Sequence, residues 1–174
     1  MDWVWRTLTR TDQGAILYLA KVLPLVVIPG LIIARLFFLL IPLLGGSLPD
    51  QSAISGALDP DQGWGVYSLS LLTYIVIAPI VETLIMAMVF WGLGRLGAGQ
   101  RGLILGQVLF WVGLHSLAIA GWGLTVAWAF FIFSVCFLTW RSKGLGAAIG
   151  VTSALHAGNN TVAILLPFLL GAME

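Results

Sequence analysis

Long apolar stretches separated by short connections constrain this sequence more than any other feature. Crossing a hydrocarbon core of about 30 Å takes about 20 helical residues, and five stretches approach or exceed that length. The chain is 60% hydrophobic and only 9% charged, which is more apolar surface than a water-soluble domain can bury. The stretches cover residues 15–44, 66–94, 103–120, 124–140 and 145–170. The sequence therefore predicts one transmembrane domain over residues 1–174, an all-α polytopic membrane helix bundle of about five transmembrane helices.

The charges in the connections predict how this bundle lies in the membrane. Basic residues precede the first stretch and flank the second and fourth connections, whereas the first connection, 45–65, contains aspartates and no lysine or arginine. By the positive-inside rule the N-terminus is cytoplasmic and the C-terminus is outside. Six of the eight tryptophans fall at predicted membrane interfaces, as an aromatic belt requires. We expect an integral membrane protein of a bacterial plasma membrane.

Four polar residues inside the predicted spans form the candidate site. Ionisable side chains within a bilayer cost roughly 2.5–3.5 kcal/mol on insertion scales, so they mark functional positions by default. Glu82, His115 and His156 each lie 13 or 14 residues from a basic inner flank, which places each about 20 Å from that face. Asn160 follows His156 by four residues, on the same helix face. Because three separate helices bring polar groups to one depth, we expect the four side chains to share a cavity.

Pro79 lies three residues before Glu82 in the same predicted span. Proline has no N–H, so an α-helix would leave the carbonyl of Ile75 without its donor and would kink or loosen at this point. A membrane protein tolerates such loosening where the backbone lines a protein-buried or wet cavity. The sequence therefore predicts a distorted helix beside the candidate carboxylate.

Glutamate, two histidines and asparagine are sufficient to hydrolyse an amide with activated water. A carboxyl group in apolar surroundings exchanges a proton near neutral pH, and a neutral imidazole beside it helps to orient and deprotonate water. A second histidine and an amide donor stabilise the developing oxyanion. Glu82, His115 and His156 are also an alternative zinc-ligand set, because two histidines and a carboxylate bind catalytic zinc. The missing His-Glu-x-x-His signature favours catalysis without a metal cofactor.

Three short segments resemble the motifs of a known family. APIVET, FWVGLH and HAGNN, at residues 78–83, 110–115 and 156–160, resemble those of the CAAX-protease and bacteriocin-processing family, also called CPBP or Abi. These intramembrane endopeptidases carry Glu-Glu-x-x-x-Arg, Phe-x-x-x-His and His-x-x-x-Asn in that order. The motif-bearing core is about residues 66–170. The resemblance implies a glutamic-type protease in which Glu82 and His115 activate water while His156 and Asn160 hold the oxyanion.

Three positions depart from the family pattern. Thr83 stands where the family has its second glutamate, Ala87 where it has arginine, and Trp111 where it has phenylalanine. Thr83 and Ala87 are four residues apart, the spacing of a helical ion pair, so losing both charges leaves no unpaired buried charge. We interpret this as the loss of a structural pair rather than of the water-activating carboxylate. Arg35 is an alternative charge partner for Glu82, unless its side chain snorkels to the interface.

The leading hypothesis is an intramembrane protease that hydrolyses a peptide bond of a membrane-associated polypeptide within the lipid bilayer. A non-catalytic CPBP-like membrane protein, such as an immunity factor or a scaffold, is the alternative, which Thr83 and Ala87 favour. A third hypothesis is a proton-coupled channel or transporter that uses Glu82 and the histidines as a relay, although five spans without a repeat argue against a transporter. The net charge of +1 and the scattered basic residues predict no nucleic-acid partner, and no feature sets an oligomeric state.

Overall fold

The computed structural model describes residues 2–48, 56 and 58–169, and this part of the chain is helical between short connections, without a strand. The last predicted span was expected to end at residue 170, with the C-terminus outside the cell, and these positions lie outside the described residues. A short helix precedes five long ones. They are α1 (Asp2–Thr9), α2 (Ala15–Leu43), α3 (Trp64–Arg95), α4 (Gln100–Ala118), α5 (Trp122–Trp140) and α6 (Leu145–Leu169). The predicted all-α bundle is confirmed.

Four of the five long helices, α2 to α5, are long and apolar enough to cross a membrane. Helix α6, the fifth predicted span, is also long, with 25 residues. It carries three polar residues, His156, Asn159 and Asn160, near its middle. Helix α6 packs against α2, α3 and α5, and His156 is buried. The polar residues of α6 therefore belong to the interior of the bundle rather than to its lipid-facing surface.

Helix α5 is the centre of the bundle and is apolar on all sides, as expected for a helix that neighbours surround. It contacts α2, α4 and α6 as well as the short helix α1. Its second half is almost wholly buried. The buried apolar side chains there include Phe130, Ile132, Phe133, Val135, Phe137 and Trp140. This helix provides the wall against which the helices that carry the candidate site are packed.

The turn between α4 and α5 requires glycine at two positions. Gly121 has a φ of +78°, in the left-handed region that glycine adopts without strain. A Cβ atom on Gly123 would collide with the carbonyl oxygen of Val112 and with the hydroxyl of Ser116. Small residues allow membrane helices to approach this closely. The crossing fixes α4, which carries His115, directly against the central helix.

Helix α3 is distorted just ahead of Pro79, where residues Thr73–Ile77 form a π-helical turn. In this register each N–H donates to the carbonyl five residues earlier, as the N–H of Ala78 does. The next such bond would come from Pro79, which has no N–H to donate. The carbonyl that loses its donor is therefore that of Tyr74, whereas an α-helical register would have freed Ile75. The predicted distortion is confirmed in the form of a π-turn.

The short helix α1 lies at the end of the bundle where α5 ends, at Trp140. The Tyr18 hydroxyl donates a hydrogen bond to the carbonyl oxygen of Leu8 at 3.0 Å, and the Tyr18 ring meets the ring of Trp140 edge-on. Leu8 is buried, whereas Trp3 and Trp5 are exposed. An amphipathic helix with exposed tryptophans is typical of a membrane–water interface.

Candidate active site

Glu82 and His156 face each other where α3 packs against α6. The carboxylate Oε2 of Glu82 lies 3.8 Å from Nε2 of His156. The His156 side chain is almost fully buried, and the Glu82 side chain keeps 23% of its surface exposed. The fold thus brings together two of the four predicted site residues, which come from the second and the last of the predicted spans.

The distance between the two side chains suits a water molecule better than a direct hydrogen bond. A direct bond would need about 3 Å, and polar atoms more than 3.5 Å apart are often bridged by water. The Oε2 atom of Glu82 is buried and has no hydrogen-bond partner among the described residues. A buried carboxylate oxygen without a partner is costly. The carboxylate and the imidazole therefore both offer hydrogen-bonding atoms to a polar molecule beside them.

His115 reaches the same part of the bundle from α4. Its ring centroid lies 5.3 Å from that of Phe130, and the ring of His156 lies 5.7 Å from the same phenyl ring. The Nδ1 atom of His115 is 3.0 Å from the carbonyl oxygen of Trp111. Because a carbonyl only accepts, Nδ1 carries the proton, and Nε2 of the neutral ring is a free acceptor. Both histidines therefore pack on one phenyl ring of the central helix.

Aromatic side chains of α5 orient the two imidazoles. The ring of Phe133 lies 4.5 Å from the ring of His156, with a tilt of 30° between the planes. Phe130, which contacts both histidines, is itself stacked on Trp111 at 4.6 Å. Packing on rigid neighbours limits the rotamers that an imidazole can adopt. The wall thus holds the histidines in place without offering them a hydrogen bond.

Asn160 is bound to the π-turn of α3. Its Nδ2 atom donates to the carbonyl oxygen of Tyr74 at 3.0 Å, the carbonyl that Pro79 leaves without its helical donor. Asn159 donates to Oδ1 of Asn160 at 3.4 Å. An amide NH₂ group has two hydrogens, so Asn160 keeps one for another acceptor. The sequence predicted an oxyanion donor here, with an interhelical hydrogen bond as the alternative role, and the structure shows such a bond at the carbonyl that Pro79 frees.

The residues at the positions that depart from the family motif are uncharged and pack inside the bundle. Thr83 is buried, and its hydroxyl donates to the carbonyl oxygen of Pro79 at 2.7 Å. Ala87 packs against the core. Arg35 is exposed and joins neither of the ion pairs formed within the described residues. In that part of the chain the ionisable neighbour of Glu82 is His156, so the alternative pairing of Glu82 with Arg35 is not formed.

Gln107 is a buried residue of this region that the sequence analysis did not single out. It is fully buried in α4, and its Nε2 atom donates to the carbonyl oxygen of Met86 at 2.6 Å. Met86 lies one helical turn after Glu82. The amide therefore ties α4 to the helix that carries the carboxylate. The signal was available, since glutamine in the middle of an apolar stretch is costly unless it finds a partner.

The three residues of the zinc alternative are not assembled as a ligand set. Within the part of the chain that the structure describes, no group of three or more His, Cys, Asp or Glu residues is placed to hold a metal ion. Glu82 and His156 approach each other, and His115, whose Nδ1 is bonded to the Trp111 carbonyl, is not grouped with them. A zinc site formed by Glu82, His115 and His156 stays a prediction that this geometry does not support.

Comparisons of the chain with family models, with curated proteins and with solved structures give no match. The resemblance to the CPBP family therefore rests on the three short motifs alone, and membership of that family stays a prediction.

Proposed function

We propose that this protein is an intramembrane endopeptidase of the glutamic type, similar to the CPBP family, which hydrolyses a peptide bond of a membrane-associated polypeptide. The observation that supports this most strongly is the 3.8 Å approach of the Glu82 carboxylate to the His156 imidazole inside a membrane bundle. Buried ionisable residues are retained in membrane proteins at a cost, and a facing pair with one unpartnered oxygen has no evident structural use.

In the proposed reaction Glu82 is the general base. It takes a proton from a water molecule held beside His156 while the water oxygen attacks the carbonyl carbon of the peptide bond. Glu82 then returns that proton to the leaving nitrogen as the C–N bond breaks. The products are a carboxyl terminus and an amine, so one water is consumed and no redox partner is needed.

The geometry favours a different division of roles from the one that the resemblance implies. His156, rather than His115, lies within 4 Å of Glu82 and is therefore the imidazole that orients the attacking water. The neutral form of His115 presents an acceptor at Nε2, so this residue suits proton uptake better than oxyanion binding. The remaining N–H of Asn160 is the donor that we assign to the oxyanion.

The test is to compare protein termini in cells that produce the wild type or Glu82→Gln. This variant keeps the shape of the side chain and removes the base, so new termini that depend on the wild type should fall by about 100-fold or more. Mass spectrometry of the termini of all membrane proteins measures this, whichever protein is cleaved. Asp61→Asn, which removes an exposed carboxylate elsewhere, is the control. Identical termini with wild type and Glu82→Gln, at equal protein levels, would overturn the proposal.

A non-catalytic membrane protein of the same architecture is the second candidate. Two hydrogen bonds favour it, because Asn160 and Thr83 both use their polar groups to support backbone carbonyls of α3. This candidate predicts that a cellular phenotype of deletion is rescued fully by Glu82→Gln and by His156→Gln. The protease predicts that neither variant rescues it.

We also propose that the protein resides in a bacterial plasma membrane with its N-terminus in the cytoplasm. Four helices able to cross a membrane support an integral membrane protein. Exposed Trp91 under the guanidinium of Arg95, at 5.0 Å from the ring centroid, and exposed Trp3 and Trp5 suit the inner interface. A cysteine introduced as Arg6→Cys should react with a membrane-impermeant maleimide only after the cells are opened. Reaction of this cysteine in intact cells would contradict the proposed orientation and would place the N-terminus outside.

A further inference from the structure

A groove of about 450 Å³ runs along the outside of the bundle between α3 and α6. Val76 and Ile80 of α3 form one wall, and the other is the face of α6 from Ile149 to Ala157. Val76 and Ile80 are 41% and 44% exposed on a helix that is able to cross a membrane, so they face lipid. The groove therefore opens sideways into the bilayer rather than toward water.

Ser153 lines this groove and lacks the hydrogen bond that comparable residues make. It is only 8% exposed, and its hydroxyl has no partner among the described residues. Hydroxyls in membrane helices commonly bond to the carbonyl four residues earlier, as those of Ser134 and Thr161 do here. An unpaired hydroxyl in apolar surroundings is costly. The hydroxyl of Ser153, a residue that lines the groove, therefore has its hydrogen available for an acceptor there.

The α6 wall of the groove is made of small residues. Gly150 and Ala154 are exposed, and a Cβ atom added to Gly150 would meet no other atom within 4 Å. Small residues on one face of a membrane helix let a second backbone approach closely. An acyl chain gains little from such a face and offers no acceptor to a hydroxyl, whereas a polypeptide backbone gains from both features.

The groove is next to the candidate active site. Ile80 precedes Glu82 by two residues, and Ala157 directly follows His156. Glu82 and His156 are not part of the lining, but they lie at the same contact of α3 with α6. A polypeptide segment seated in the groove would therefore pass at the level of the carboxylate and the imidazole, on a neighbouring face of the two helices, because residues one or two positions apart on a helix point in different directions.

We propose that the groove between α3 and α6 docks a transmembrane segment of a polypeptide, with the Ser153 hydroxyl donating to one of its backbone carbonyls. That this segment is a substrate rests on the proposed protease function, but docking itself requires no catalysis. The occupant is a helix or a locally unwound strand of a membrane protein, and it enters from the lipid phase.

Photocrosslinking in liposomes tests the docking. The protein is the Glu82→Gln variant, with a benzophenone attached through Ile80→Cys, and the native Cys136 is buried and can be retained. The probe is a synthetic single-span peptide of leucine and alanine with glycines on one face. The control attachment site is Met88→Cys, on the same helix and 70% exposed. We expect a peptide adduct roughly fivefold stronger at position 80, in keeping with the modest strength of helix contacts in membranes.

Filling the groove provides a matched pair of variants. Gly150→Leu projects a side chain into the groove without meeting protein atoms, and should lower the adduct at position 80 roughly fivefold. Gly146→Leu, about one turn earlier, is also exposed with open space at Cβ but does not line the groove, and should leave the adduct unchanged. Ser153→Ala should lower it roughly twofold, since interhelical hydrogen bonds contribute little.

Three results would overturn the docking proposal. The first is a peptide adduct of equal strength at positions 80 and 88. The second is a peptide adduct at position 80 that Gly150→Leu does not reduce. The third is labelling at position 80 by a photoactivatable phosphatidylcholine without any peptide adduct there. The last would assign the groove to lipid. A groove-dependent peptide adduct together with unchanged cellular termini would leave the docking intact and exclude the protease, so the two failures are distinguishable.

Discussion

Helices α5 and α6 lie side by side in the bundle and bury different chemistry. Helix α5 buries aromatic and aliphatic side chains, with Phe130, Phe133 and Phe137 prominent among them. Helix α6 also buries an ionisable side chain, His156, whereas the polar side chains buried in α5 are the hydroxyls of Thr125 and Ser134. Both contact α2, yet α5 carries no ionisable group of the candidate site. Helix α5 contributes packing side chains to the site, whereas α6 contributes the polar side chains of His156 and Asn160.

The difference shows how this bundle specifies its interior without relying on the hydrophobic effect. Lipid is as apolar as a phenylalanine side chain, so α5 is held inside by close packing rather than by escape from solvent. Polar side chains in a bilayer do need partners, and this need fixes where α6 meets α3. Two pairs of polar groups lie along this contact, one where Asn160 bonds to the π-turn and one where His156 faces Glu82. Variants on the two sides should therefore fail in different ways.

The largest effect on stability should come from Gly123→Ala, at the close crossing of α4 and α5. The added methyl group would collide with the Val112 carbonyl, which is backbone and cannot move aside. We expect a loss of roughly 3 kcal/mol or more, or no folded protein, because overpacking of backbone is poorly tolerated. Unfolding by SDS titration measures this. Gly113→Ala, also on α4 but with open space at Cβ, is the control and should unfold like the wild type.

Truncating the aromatic wall should cost less stability but should also impair function. Phe133→Ala removes the ring that lies 4.5 Å from His156, and we expect a loss of about 2 kcal/mol. This loss of stability is smaller than in the core of a water-soluble protein, because lipid solvates the phenylalanine side chain when unfolding exposes it. Cleavage should fall with it, since His156 gains freedom. Phe131→Ala, a half-buried neighbour that packs on Trp128, should leave cleavage intact. Equal cleavage by both variants would show that the wall does not orient His156.

Asn160→Ala should have an intermediate effect, because it breaks the bond from α6 to the Tyr74 carbonyl. We expect a loss of about 1 kcal/mol, within the range measured for interhelical hydrogen bonds in membranes. Asn159→Ala removes only a 3.4 Å contact and should change stability by less. If the two variants unfolded at the same SDS concentration, the anchoring of the π-turn by Asn160 would be wrong.

The smallest effect should come from Gln107→Leu. Its Nε2 atom donates to Met86, but its Oε1 atom is buried without a partner among the described residues. Replacing such a group by an apolar side chain of similar size is often nearly neutral, so we expect a change within about 0.5 kcal/mol in SDS unfolding. A loss above about 2 kcal/mol would mean that the amide secures α3 against α4 more strongly than one neutral bond can.

The fold was largely predictable because the bilayer restricts the choices that a chain has. Helix lengths and boundaries follow from the apolar stretches, and the prediction of 15–44 for the first agrees closely with Ala15–Leu43. Apolarity was a weaker guide to α6, since the polar residues that make it part of the site interrupt its apolar sequence.

The site was predictable in part. Depth alone placed Glu82 and His156 in one layer, and the structure brings them within 3.8 Å. Depth does not fix rotation about a helix axis, so the sequence could not show that His115 turns its Nδ1 to its own helix. Nor could it show that a π-turn would shift the freed carbonyl to Tyr74 and capture Asn160. These details depend on packing between helices that are distant in sequence.

The most direct test of the central claim is a double-mutant cycle on cleavage with Glu82→Gln, His156→Gln and the two combined. If the facing side chains act as one unit on a shared water, each single variant should lose about 100-fold or more, and the double variant should be no worse than the more damaged single. Wild-type cleavage by either single variant, or losses that multiply in the double variant, would contradict the account.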